Sequence, residues 1–252
     1  VRGVWLLESK ALYTRITVLE QIGYREWTES LGSDREWLIQ RVQAELYLAL
    51  QDIATRYGAF SMPTRYDYML ILSSNLSYEA HMEILDVAKS NSKVGVRMAS
   101  SCGLNPMEAE YRAFKLLSET EIGSLAFATC PGEEIVVIAH LDLNNITKTT
   151  AYEGVARSYH KILNIIGKLA SIAEDEGSIV QYLGGDNILI ILPPTNYMNT
   201  AKKLIEVDDL KAGIGVSRTA REALRLAAKA LHNLRLTRNR KLTILTAENL
   251  IL

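Results

Sequence analysis

Apolar patterning runs through one order of elements twice along this chain, and that duplication limits what it can fold into more than any single motif does. In the first pass Ile16 to Ile22 reads as a strand, and Ser33-Asp34-Arg35-Glu36 as a helix start in which Ser or Asp caps and Glu36 completes a capping box. That helix is expected to run to about Tyr57. Gly58 to Met62 and Tyr66 to Leu72 form a hairpin, Tyr78 to Lys89 a helix and Val94 to Ser101 a strand. Asn105-Pro106-Met107-Glu108 then opens a helix with Pro at its first position. In the second pass Ile135 to Leu143 reads as a strand, Tyr152 to Glu176 as one long helix, Ser178 to Leu183 with Ile188 to Leu192 as a hairpin, and Tyr197 to Glu206 as a helix. Leu210 to Val216 is a strand, Thr219-Ala220-Arg221-Glu222-Ala223 starts a helix, and Lys241 to Leu245 adds a final strand.

Two local matches fix the phase of the repeat. Asn105-Pro106-Met107-Glu108-Ala109 lines up with Thr219-Ala220-Arg221-Glu222-Ala223, and Arg65-Tyr66-Asp67-Tyr68 with Gly185-Asp186-Asn187, so that Asp67 meets Asp186. A period of roughly 115 to 120 residues is too long for a solenoid. The expected fold class is therefore α+β: tandem ferredoxin-like, palm-like βαββαβ repeats, antiparallel sheets with helices on one face. Residues 16–122 form the first repeat and 133–252 the second, with a polar connection between them and residues 1–15 as a frayed extension.

Composition narrows the function. A formal net charge of -1 creates no field for a polyanion, so nucleic acid is not an expected partner. No apolar run reaches the length of a membrane span, and residues 1 to 10 are too short of apolar length for a signal peptide, so no membrane and a cytoplasmic location are expected. Cys102 and Cys130 stand far apart and read as small buried apolar residues. With four scattered histidines and neither CxxC nor HExxH spacing, zinc chemistry is not indicated.

The chemistry gathers in the second repeat. Gln181-Tyr182-Leu183-Gly184-Gly185-Asp186-Asn187 followed by Ile188 to Leu192 is a hairpin with polar groups at its tip, and the Gly pair supplies the positive dihedrals of a tight turn. Upstream, Ile135 to Leu143 is a strand in which period-two alternation puts His140 and Asp142 on one face, aiming Asp142 off the end. If that strand pairs beside the hairpin, Asp142 and Asp186 converge. Two close carboxylates raise each other's pKa unless a cation neutralises them, and hard oxygen donors beside a polar loop suit a Mg²⁺-triphosphate site.

The second half resembles the GGDEF and class III nucleotidyl cyclase palm, and the whole chain resembles the archaeal GTP cyclohydrolase III family. The phrases that carry the likeness are Ala139-His140-Leu141-Asp142-Leu143-Asn144-Asn145-Ile146-Thr147, Gly184-Gly185-Asp186-Asn187, and Leu210-Lys211-Ala212-Gly213-Ile214-Gly215-Val216 with Arg218-Thr219-Ala220. Tyr24-Arg25-Glu26-Trp27-Thr28 and Arg65-Tyr66-Asp67 extend it to the first half. The resemblance implies a Mg²⁺-dependent hydrolase that opens the imidazole ring of GTP and releases phosphate, giving a formylamino-pyrimidine ribonucleotide monophosphate. It also implies self-assembly into a homo-oligomer. By the same resemblance Asp142, the Leu143 carbonyl and Asp186 hold metal, and Asn144, Asn145, Ile146 and Thr147 receive phosphate oxygens. Asp142, Asp186, Asn187 and His140 are the catalytic candidates.

Some roles stay open at this level. Arg235 reads either as a phosphate ligand or as a charge on a helix C-terminus, with Arg238 as a weaker candidate. His140 reads either as a neighbour of the attacking water or as a hydrogen-bonded core residue of its strand. Arg65 and Asp67 are candidates for a second nucleotide site. Tyr68 replaces the family's Asn there, and Gly23 an Asp or Asn, so the first half reads as having lost polar groups. The alternative functions are a diguanylate or nucleotidyl cyclase-like enzyme, from which Asn187 departs by replacing a carboxylate, and a catalytically silent GTP-binding module.

Overall fold

The structure, a computed structural model, describes residues 11–208, 210–237, 240–248 and 250. The first repeat runs β1 (Leu12–Ile22), α1 (Tyr24–Ser30), α2 (Glu36–Arg56), β2 (Phe60–Met62), β3 (Tyr68–Leu72), α3 (Tyr78–Asn91), β4 (Gly95–Gly103), α4 (Pro106–Leu117) and β5 (Leu125–Phe127). A short strand, β6 (Glu133–Glu134), leads into β7 (Val136–Asp142), α5 (Ile146–Glu153), α6 (Val155–Asp175), β8 (Ile179–Gly184) and β9 (Asn187–Leu192). The chain continues through α7 (Tyr197–Ile205), β10 (Lys211–Ser217), α8 (Ala220–Thr237) and β11 (Leu242–Thr246).

The duplication holds in the sheets as well as in the order of elements. One sheet runs β2-β3-β1-β4-β5 with β6 added beside β1, and the other, read in the same sense, β8-β9-β7-β10-β11. In each, the central strand is antiparallel to both neighbours and the last strand is parallel to the one before it.

The helices differ from expectation in covering both faces of each sheet. Val137, Ala139 and Leu141 of β7 pack with Ile162, Ile165, Leu169, Ala201 and Leu204 of α6 and α7. Val136 and Ile138 point the other way, into a cluster with Ala220, Ala223 and Ala227 of α8. That cluster continues through Ala109 and Ala113 of α4 to Ile16 and Val18 of β1, so α4 and α8 join the two sheets. Leu19, Met69 and Met98 face Leu50, Ile84 and Leu85 of α2 and α3 on the far side of the first sheet. A strand buried on both faces reads as a continuous apolar run, as residues 135–139 do, and such a run does not reveal that it has two covers. Glycine makes the close approach of α8 possible: a Cβ at Gly215 would fall 2.6 Å from the Ala227 nitrogen.

Four local readings are corrected. The long helix expected over 152–176 is broken at Gly154, whose φ of 88° lies outside the helical region and separates α5 from α6. Helix α2 starts from Arg35 with no side-chain cap, so the capping box is not made, and Arg35 Nη1 instead donates to the Thr28 carbonyl at 2.8 Å. β1 begins at Leu12, with Thr14 and Arg15 buried, so those residues are sheet rather than frayed extension. Residues 1–10 lie outside the described residues. Finally, Cys102 and Cys130 are joined in a disulfide with Cα atoms 5.5 Å apart. The reading of two separate apolar residues failed because the segment after β5 returns over the end of β4, a proximity that a separation of 28 residues does not disclose.

Candidate active site

The mouth of the second sheet is built by register. β7 and β9 pair antiparallel with Asp142 opposite Asn187, so the carboxylate ending one strand lies beside the tip of the hairpin. Gly184 and Gly185 both have positive φ, 102° and 60°, which residues bearing a Cβ rarely adopt. The Leu143 amide then donates to the Asp186 carbonyl at 3.2 Å and laces the tip to the strand end. Asp142, Leu143, Asn144, Asn145, Ile146, Thr147, Asp186, Asn187 and Arg235 line one cavity of roughly 620 Å³. The expected convergence of Asp142 and Asp186 is thus present.

A short relay fixes the tip. His140 Nε2 meets Asn187 Oδ1 at 3.0 Å, and Asn187 Nδ2 donates to Asp186 Oδ1 at 2.9 Å. With the amide oxygen accepting, the His140 proton belongs on Nε2. Burial pushes the His140 pKa below the ordinary histidine range, so the ring is neutral near pH 7. The ring is half-buried, and its hydrogen bond runs to the hairpin tip rather than into the core.

Arg235, in the last turn of α8, is paired with a strand-end carboxylate. It donates from Nη2 to Asp142 Oδ1 at 2.7 Å and from Nε to Asp142 Oδ2 at 3.1 Å, and its side chain remains 48% exposed. The fork holds the carboxylate at the cavity wall. Arg238 lies outside the described residues.

The loop after Asp142 turns at Asn145, whose φ of 66° is left-handed and which makes no side-chain cap on α5. The amides of the first turn of a helix have no intrahelical acceptor, so those of α5 are donors at the cavity edge. Sequence reasoning missed Lys148, which lines the same cavity, although its place in the first turn after Asn145-Ile146-Thr147 was a usable signal. It also missed an adjoining cavity of roughly 580 Å³ between α5, α6 and the hairpin, lined by Thr150, Val155, Ser158, Tyr159 and Tyr182 together with Asp186. The α5–α6 break at Gly154, hidden in the expected single helix, shapes it. Arg65 and Asp67 are not brought to this mouth. They lie between β2 and β3 in the other sheet, paired to each other at 2.7 Å.

A family model described as GTP cyclohydrolase III matches residues 16–248. The GTP cyclohydrolase III of Aeropyrum pernix is 50% identical over 222 residues, covering 88% of this chain and 92% of that protein. That of Saccharolobus solfataricus is 30% identical over 226 residues, covering 90% and 96%. Among solved structures, a GGDEF domain from Pseudomonas aeruginosa is 18% identical with a TM-score of 0.40, covering 45% of this chain and 77% of that one. A bacterial light-regulated adenylyl cyclase is 11% identical with a TM-score of 0.37, covering 92% and 85%.

Proposed function

The chain belongs to the GTP cyclohydrolase III family, and we propose that it opens the imidazole ring of GTP at the mouth between β7 and the β8–β9 tip, with Mg²⁺ as its metal. The observation that carries this is the meeting of two half-buried carboxylates, Asp142 and Asp186, with the start of α5 in one cavity. The donor set fits: two carboxylates and the Leu143 carbonyl are hard oxygen ligands, and Mg²⁺ is ordinarily held by one or two carboxylates while phosphates and waters complete its octahedron. When bound, the ion supplies positive charge against the triphosphate and orients it.

The chain's own groups do the rest. Amides of Asn145, Ile146 and Thr147, with Asn144 beside them, receive phosphate oxygens as helix starts do. Arg235, which lines the same cavity, reaches the same oxygens while keeping a hold on Asp142, and Lys148 adds a flexible charge. The base enters the adjoining cavity past Tyr159 and Tyr182. His140 acts through Asn187 to set the orientation of the Asp186 carboxylate. Water adds at C8 of guanine and the C8–N9 bond breaks. N7 keeps the formyl group and N9 the ribose. Hydrolysis of the triphosphate releases two phosphates, leaving 2-amino-5-formylamino-6-(5-phosphoribosylamino)pyrimidin-4(3H)-one, a monophosphate.

A cyclase reading is disfavoured by Asn187, which stands where an adjacent second carboxylate would add anionic charge. Product analysis tests the proposal. GTP with Mg²⁺ should yield the formylamino-pyrimidine monophosphate and inorganic phosphate. A cyclic nucleotide with pyrophosphate, or unchanged GTP, would contradict it.

A further inference from the structure

The mouths of the two sheets match in backbone detail. In the second repeat Asp142 lies opposite Asn187, the next amide donates to the Asp186 carbonyl, and the third residue on, Asn145, is left-handed at a helix start. In the first repeat Glu20 lies opposite Tyr68, the next amide, of Gln21, donates to the Asp67 carbonyl at 2.8 Å, and the third residue on, Gly23, is left-handed at the start of α1. Glu20 therefore answers to Asp142, Asp67 to Asp186, and Gly23 to Asn145. The first repeat thus keeps a strand-end acid, Glu20, three residues before Gly23.

What faces the acid is different. Arg97 Nε donates to Glu20 Oε2 at 2.6 Å and the Tyr68 hydroxyl donates to Glu20 Oε1 at 2.6 Å, so each oxygen is engaged by a side chain of the same repeat. Arg97 is anchored again by Nη1 to the Thr120 carbonyl at 2.9 Å. Burial, then the bond to Glu20, pushes the Tyr68 hydroxyl up to about 12, so it remains a donor. Asp67 accepts from Arg65 Nη2 at 2.7 Å and from the Tyr68 amide at 3.0 Å. Val18 stands two residues before Glu20 where His140 stands before Asp142, so the relay to the tip has no counterpart.

The two arginines are not equivalent. Arg235 is 48% exposed on the wall of an open cavity, whereas Arg97 lies within strand β4, 21% exposed, and is held at two points. Drawing Arg97 off Glu20 would break a close ion pair between two poorly solvated charges, which is strongly unfavourable. We infer that Arg97 stands in the first mouth where the proposed reading of the second puts a divalent cation, so that each chain offers one metal-nucleotide mouth and the first repeat carries its own cation. This rests on the reading of Asp142 and Asp186 as metal ligands.

Mn²⁺ binding to the full chain, followed by the paramagnetic resonance of free Mn²⁺ with a non-hydrolysable GTP analogue present, tests it. The double variant Asp142→Asn/Asp186→Asn should lose tight Mn²⁺ binding at least a hundredfold, while Glu20→Gln should leave affinity and stoichiometry within twofold of the wild type. Tight Mn²⁺ that persists in the double variant and vanishes when Glu20→Gln is added would overturn the inference. Mn²⁺ bound equally by the wild type and the double variant, whatever stands at position 20, would overturn the reading of the second mouth instead. Arg97→Met, checked for its fold by circular dichroism, should add a class of Mn²⁺ sites that Glu20→Gln removes, and a folded variant that adds none contradicts the role given to Arg97. Should either substitution in the first repeat prevent folding, complete loss in the Asp142/Asp186 double variant still supports one mouth and residual tight binding still opposes it.

Discussion

Arg235 grips Asp142 across a sequence separation of 93 residues, Nη2 to Oδ1 at 2.7 Å and Nε to Oδ2 at 3.1 Å. One arginine therefore sets the angle of a proposed metal ligand and also presents charge to the proposed triphosphate. A lysine can keep the charge but not the fork. Arg235→Lys should raise KM for GTP by about tenfold, the cost of one charge-assisted hydrogen bond, with a smaller change in kcat. Steady-state kinetics in saturating Mg²⁺ check this, and an unchanged KM would return Arg235 to a structural role.

Asp142 and Asp186 lie at the rim of the second sheet rather than in its core. Asp142→Ala and Asp186→Ala should each lower turnover by about a hundredfold or more, as expected for loss of a catalytic charge. The melting temperature should stay within a few degrees, because neither change empties apolar volume. Loss of the fold in either variant would mean that the carboxylate is structural.

How far this was legible in the sequence depended on the range of the information. Alternation placed His140 and Asp142 on one face, and the Gly184-Gly185 pair announced the turn that carries Asp186. Both are local signals, and the structure joins them as read. The Arg235–Asp142 fork and the Glu20–Arg97 pair depend on which strand or helix lies beside which, and no spacing in the chain states that. An isolated glycine in an otherwise helical pattern is ordinarily tolerated, yet Gly154 divides α5 from α6 beside the second cavity.

The Cys102–Cys130 disulfide closes a loop spanning 28 residues that contains β5. On the loop-entropy account such a link stabilises by about 3 to 4 kcal/mol. Cys102→Ser/Cys130→Ser should therefore lower stability in urea by that order, with KM for GTP little changed, because both residues belong to the first repeat and its connection. A variant as stable as the wild type would show that the bond contributes nothing in solution.

His81 gives the first repeat a pH-dependent stability. It is fully buried, with Nδ1 against the Ser77 carbonyl at 2.8 Å and Nε2 against Thr17 Oγ1 at 2.9 Å, and burial pushes its pKa down to about 4. The unfolded chain takes up this proton near pH ~6.5, whereas the folded one resists until about 4. Its stabilising share is thus full above pH ~6.5 and is lost as pH falls towards 4, by roughly 2 kcal/mol between pH 7 and 5. Urea melts across that range should show the loss, and His81→Gln should flatten it. An equal slope in the variant would assign the effect to other groups.

On the proposed reading a divalent cation is held between the end of β7 and the β8–β9 tip. Anomalous diffraction from crystals grown with Mn²⁺ and a non-hydrolysable GTP analogue measures this directly. An anomalous peak is expected within about 2.0 to 2.3 Å of carboxylate oxygens of both Asp142 and Asp186, with the triphosphate along the start of α5. A peak elsewhere, or a triphosphate bound away from this cavity, would contradict it.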